Sequence, residues 1–178
     1  VMLAMRQDFP FDQSGTNPRK LTNIVYMGMG EPLLNFRNVA KAVKFINSTF
    51  NFSSHRTTIS TSGVVPLMRA VGNELGAGLA VSLHAVSDDK RDVLVPLNKQ
   101  YPINHLLDGC KQYIDGIKDR ARGQKRVTFE YVMLENVNDS LSEARDLVKL
   151  LSQIPSHVNL IPFNPWLESI YKTSKHSQ

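Results

Sequence analysis

The stretch TNIVYMGMGEP, residues Thr22–Pro32, sets the reading of this chain. Its first six residues are short, apolar and β-branched. They run without a break into Gly28-Met29-Gly30-Glu31-Pro32. A continuous apolar run closed by Gly and Pro is the pattern of a buried strand that enters a sharp loop. Phe36, Val39, Val43 and Ile46 then recur at helical spacing, which predicts an amphipathic helix behind the strand.

The same alternation continues outward. Arg56–Ser60 predicts a second strand, followed by a helix with Pro66 in its first turn and Met68, Val71 and Leu75 on its apolar stripe. Gly78–Leu83 predicts a third strand. A mixed segment from Asp88 to Leu97 predicts a short helix stopped by Pro96. Leu106, Cys110, Tyr113 and Ile117 mark one face of a further helix, and VTFEYVML at Val127–Leu134 is the strongest strand signal. Ser140 and Glu143 have the spacing of a capping box, with Ala144, Leu147 and Leu151 expected to point inward. His157–Phe163 predicts the last strand. Five strands separated by helices imply a parallel sheet with right-handed crossovers, its strands buried on both faces. With no obvious first or last strand, the array reads as part of a (β/α) barrel with an exposed, association-prone edge.

Composition narrows the function. The chain has 178 residues, 42% hydrophobic and 21% charged, with a net charge of +5. That is the composition of a globular domain with a sizeable core. The charge permits an anionic partner without demanding one. No run is long and apolar enough for a membrane span, and no signal-peptide core opens the sequence. Beginning at Val1 rather than Met, the chain reads as processed, cut or partial at its start. One cysteine cannot make an internal disulfide, a zinc tetrad or an iron–sulfur ligand set, and Cys110 on its apolar stripe reads as a core thiol. His55, His105 and His157 lack ligand-like spacing. Arg120–Arg126 (RARGQKR) reads as a solvated loop ahead of contact with RNA phosphates, because no aromatic residue interleaves it.

In parallel βα folds, ligands gather at the carboxyl ends of the strands. Polar residues concentrate there: Gly28, Gly30 and Glu31 after the first strand, Ser60, Thr61 and Ser62 after the second, Ser82 and His84 after the third, Asn164 after the last. Each alone is ordinary turn chemistry. The set suits a nucleoside with a zwitterionic tail. No Gly-rich lysine loop favours a nucleoside triphosphate, and no paired carboxylates or Ser-His-Asp set stands out.

The strings GMGEPLLN (Gly28–Asn35), STSGVVP (Ser60–Pro66), LAVSLHA (Leu79–Ala85), RDVLVPLNKQYP (Arg91–Pro102), FEYVMLENVNDS (Phe129–Ser140) and VNLIPFNP (Val158–Pro165) together resemble the RlmN/Cfr-type radical S-adenosylmethionine (SAM) RNA methyltransferases. The resemblance covers residues 21–166. It implies an α/β fold, the partial (β/α) barrel of radical SAM enzymes, with a lead-in over 1–20 and a divergent, disordered tail over 167–178. It implies methylation of C2 of adenine in large-subunit rRNA and in tRNA, with C8 chemistry in Cfr-type relatives. It also implies SAM and a [4Fe-4S] cluster as cofactors, a reducing electron-transfer partner, and a cytoplasmic or organellar setting without a membrane. SAM contacts carried over by motif fall at Gly30, Glu31, Ser60, Ser82, Leu83, His84 and Asn164.

Four family features have no counterpart in these 178 residues: the first barrel strand, the C-x-x-x-C-x-x-C cluster loop, both catalytic cysteines and the RNA-engaging N-terminal domain. No catalytic residue or metal ligand is therefore assigned. Cys110 matches none of the family's cysteines. The isolated chain is expected to be inactive and to bind SAM weakly, because the cluster iron normally chelates the SAM amino and carboxylate groups. A cluster-less derivative that binds a nucleoside or RNA, or serves as a structural partner, is the alternative.

Overall fold

The structure, a computed structural model, describes residues 22–117 and 125–175. Five strands form one parallel sheet in the order β1-β2-β3-β4-β5: β1 Ile24–Tyr26, β2 Thr57–Thr61, β3 Gly78–Ser82, β4 Val127–Met133 and β5 Ser156–Pro162. The helices are α1 Phe36–Thr49, α2 Val65–Asn73, α3 Asp88–Leu94, α4 Ile103–Gly116 and α5 Leu141–Leu151. Short 3-10 turns at Pro32–Asn35, Ser54–Arg56 and Pro96–Lys99 complete the order. Spatial order equals chain order, so each helical crossover steps to the adjacent strand. Crossovers of one hand then place the helices on one face of the sheet, as in a barrel wall.

Strand alternation divides the sheet cleanly. Ile59, Leu79, Val81, Val127, Phe129 and Tyr131 face the helices and join Val43, Met68, Val71, Leu106 and Tyr113 in the core. The Tyr113 hydroxyl donates to the Ala77 carbonyl at 3.0 Å, so its burial leaves no unmet donor there. Helices α2 and α4 approach closely through glycines. A Cβ on Gly72 would lie 3.0 Å from the Tyr113 carbonyl oxygen, and one on Gly109 would lie 3.0 Å from Met68 Sδ.

Three expectations need correction. The sheet is not buried on both faces throughout: Val25 in β1 and Leu160 in β5 are exposed, and β5 has no fully buried residue. The exposure is at the edge strands: on the face away from the helices Ser60, Ala80 and Glu130 of the central strands are buried, whereas β5 has exposed residues on its helix side too. Ala144 is exposed while Leu147 and Leu151 are buried, because α5 turns only a narrow stripe inward. Residues 167–175 are not structureless. The Glu135 amide donates to the Lys172 carbonyl, Leu134 bridges Thr173, and the Thr173 hydroxyl donates to the Phe163 carbonyl at 2.6 Å. Hydrogen bonds to loop backbone and an edge-on ring contact between Phe163 and Tyr171 hold this segment without a hydrophobic core of its own.

The capping spacing is half used. Ser140 Oγ accepts from the Glu143 amide, whereas the Glu143 carboxylate pairs with Lys90. The lead-in 1–20 lies outside the described residues, as does the basic stretch up to residue 124.

Candidate nucleoside-binding rim

The loop after β1 begins with Gly28 and Gly30, both at positive φ (121° and 107°), where an L side chain would be strained. They turn the chain so that Glu31 reaches back across the strand ends. One Glu31 oxygen accepts from the Leu33 amide at 3.0 Å and caps the 3-10 turn; the other accepts from the Ser62 amide at 2.6 Å. The carboxylate thus ties the first loop to the second and is already doubly engaged. The bare expectation of an open acceptor is sharpened: Glu31 shapes the loop and can accept further donors only through its remaining lone pairs.

After β2, the Thr61 hydroxyl accepts from the Gly63 and Val64 amides at 3.0 and 3.1 Å, forming the turn into α2. Gly63 has φ 121°, and a Cβ there would meet Leu106. Ser60 is buried and Ser62 half-buried. By alternation Ser60 faces away from the helices, opposite Ile59 and Thr61.

Arg91 is the feature that sequence reading left unassigned. It is 0% exposed. Its Nε donates to the Leu83 carbonyl at 3.1 Å, one terminal nitrogen to Asn98 Oδ1 at 2.9 Å, and the other to the Ser62 and Ser82 carbonyls at 2.7 and 2.9 Å. A planar guanidinium can serve several acceptors at fixed angles, and here it clamps the ends of β2 and β3 together. Burial lowers its pKa to about 10, with Asp88 the first of the groups opposing that shift, so Arg91 remains charged at neutral pH. The one signal available in the sequence is Arg91 and Asn98 bracketing the short α3-to-turn segment.

His84 sits just past β3 at φ 59°. Its Nδ1 accepts from the Val132 amide at 3.1 Å, and its carbonyl accepts from Asn138 Nδ2 at 2.7 Å. Asn138 also donates to the Val132 carbonyl, and its Oδ1 accepts from the Leu134 amide. The imidazole therefore bridges β3 to β4, with its proton on Nε2. Burial, and then the Arg91 charge, lower the His84 pKa to about 4, so the ring is neutral at physiological pH.

The sheet order brings Gly30, Glu31, Ser60, Ser82, Leu83 and His84 together on three adjacent strand ends. Leu83 is buried, and its backbone is already engaged: the amide donates to the Glu130 carbonyl at 3.0 Å, and the carbonyl accepts from Arg91 Nε and the Ala85 amide. Asn164 is exposed just beyond β5, separated from this group by β4. A cluster or metal finds no ligand set: no group of three or more His, Cys, Asp or Glu side chains exists among the described residues. Cys110 is buried on the helix side, and burial pushes its thiol up to about 12.

No family model matches the chain. Among solved structures, a radical SAM methyltransferase from Sphaerobacter thermophilus superposes with a TM-score of 0.82 at 43% identity, over 89% of this chain and 46% of that one. A domain of pyruvate-formate lyase-activating enzyme from Bacteroides vulgatus shares the fold at TM-score 0.61 and 14% identity, over 88% of each chain. The fold is thus that of radical SAM enzymes. Curated relatives named "Dual-specificity RNA methyltransferase RlmN" are 55% identical over 162 residues in Acidiphilium cryptum and 56% identical over 158 residues in Beijerinckia indica. Within that fold, the chain is similar over most of its length to RlmN-type RNA methyltransferases. It spans about two fifths of the length of those relatives, while they match about nine tenths of it.

Proposed function

We propose that this chain forms the SAM-binding part of an RNA methyltransferase acting at C2 of adenine in large-subunit rRNA and in tRNA. The observation that carries this reading is the rim of three adjoining strand ends, knit by Glu31 and Arg91, in a sequence more than half identical to RlmN-type enzymes. SAM supplies a transferable methyl group when bound. Gly30 admits close backbone approach, Ser60 and Ser82 offer hydroxyls, Leu83 holds Ser82 and His84 in place through its own backbone hydrogen bonds, His84 offers its Nε2 proton, and Asn164 offers an amide from across the sheet.

The residues present do not fit a [4Fe-4S] cluster, since three thiolates are needed and this chain has one buried cysteine. No step is therefore routed through a cluster here. RNA substrates and an electron donor belong to the same proposal and rest on the RlmN-type similarity. Grafting residues 22–166 into the Acidiphilium cryptum relative and measuring adenine methylation of rRNA and tRNA by mass spectrometry tests it. Retained C2 methylation is expected. A folded chimera without methylation, yet still binding nucleosides, would favour a nucleoside-binding derivative.

A further inference from the structure

Between Glu31 and Glu74 the sequence holds no Asp or Glu, yet it holds Arg37, Lys41, Lys44, Arg56 and Arg69. These five cations equal the chain's whole net charge of +5, so the remaining residues balance to zero. The excess is therefore local, in the half of the sheet that begins with β1. All five are exposed, and none forms an ion pair among the described residues. Three of them make a stripe. Arg37, Lys41 and Lys44 recur at i, i+4 and i+7 on α1 and cover about 10 Å of helix axis. They lie on the face away from Val39 and Val43, which pack on the core. Helix stability does not call for them: cations three and four residues apart repel, and Arg37 in the first turn opposes the helix dipole. α1 has no acidic residue to offset either effect.

We propose that the α1 stripe of Arg37, Lys41 and Lys44 is a docking surface for the phosphate backbone of RNA. RNA as the polyanion rests on the proposed function. Arg37 follows closely on the loop that carries Glu31, so the stripe starts beside the rim and leads down the outside of the sheet. A strand whose nucleotide reaches the rim can lay its neighbouring phosphates along it. Each cation that meets a phosphate releases condensed counterions, a gain that does not depend on sequence. Phe45 is exposed on the flank of the stripe and offers a ring face to a base. An anionic membrane fits less well, because the apolar side of α1 is buried against the core and leaves no apolar face to enter a bilayer.

Fluorescence anisotropy of a short labelled RNA stem-loop, read across a salt series with the whole chain, tests this surface. Arg37→Gln/Lys41→Gln/Lys44→Gln is compared with Lys99→Gln/Lys111→Gln/Lys149→Gln, which removes the same charge from exposed lysines elsewhere. The α1 variant should bind about tenfold more weakly at low salt, and its slope of log affinity against log salt should be smaller by about two. The control variant should stay near the wild type. An α1 variant with wild-type affinity, equal losses in the two variants, or no RNA binding by the wild type at low salt would overturn the surface. Capture by phosphatidylserine vesicles in preference to RNA, lost in the α1 variant, would assign the stripe to a lipid surface and overturn it too. A methylating chimera whose RNA affinity is unchanged by the three α1 substitutions would overturn the surface and leave the proposed function standing.

Discussion

Glu31 and His84 show how single side chains set the geometry of the rim. Replacing Glu31 with Gln keeps its size but leaves one of two backbone amides, at Leu33 or Ser62, facing an NH2 group. A loss of about 1–2 kcal/mol in urea-unfolding free energy is expected. His84 carries a pH signature. Its folded pKa, about 4, lies below the ordinary 6.5, so folding favours the neutral ring. Its contribution is fully present above about pH 6.5 and declines as pH falls through that value towards 4. Unfolding free energy should drop over this window in the wild type. In His84→Asn, which tolerates the positive φ, the drop should be smaller. An unchanged profile would show that the ring's neutrality does not matter to stability.

These residues were legible in the sequence to different degrees. Gly28, Gly30 and Glu31 announced a sharp loop because glycine and proline leave a local mark. Arg91 left none. A single arginine in a mixed segment reads as a surface charge, and only the folded strand ends reveal the carbonyls that it serves. Glu130 was hidden in the same way, as one polar residue inside an otherwise apolar strand.

At the level of elements, the order of strands and helices was readable, with boundaries shifted by a residue or two, because apolar periodicity follows directly from burial. What failed was the assignment of faces. An apolar run does not say whether one face or two will be covered, and β5 is covered on neither along much of its length. The α2–α4 contact illustrates a constraint with no periodic signal. A Cβ on Gly72 would press against backbone, the Tyr113 carbonyl at 3.0 Å, and against the Tyr113 ring at 3.1 Å. Gly72→Ala gains helix propensity, yet overpacking should outweigh it, giving a net loss of about 1–2 kcal/mol by thermal or urea unfolding. Removing the Arg91 clamp is more severe. Arg91→Met leaves the Ser62, Ser82 and Leu83 carbonyls without this donor, and a loss of about 3 kcal/mol or more is expected.

Across the whole molecule, the uncovered helix side of β5 matters most. A groove of about 450 Å3 runs between α5 and β5, lined by Met133, Leu147, Leu151, Val158 and Leu160, with Val148 exposed beside it. Apolar surface of this kind at a sheet edge favours self-association. Sedimentation should show concentration-dependent oligomers that diminish in a Val148→Glu/Leu160→Lys double variant; a monomer at all concentrations would contradict this. None of the described helices is long and apolar enough to cross a membrane. The net charge of +5 suits an anionic partner, although the most basic stretch lies largely outside the described residues.

On the proposed function, SAM binds at the rim of strand ends. Amide NMR of the whole chain titrated with SAM tests it most directly. Weak, saturable shifts concentrated at Gly30, Glu31, Ser60, Ser82, Leu83, His84 and Asn164 are expected. Shifts confined to the α5–β5 groove, or none at the rim at millimolar SAM, would contradict it.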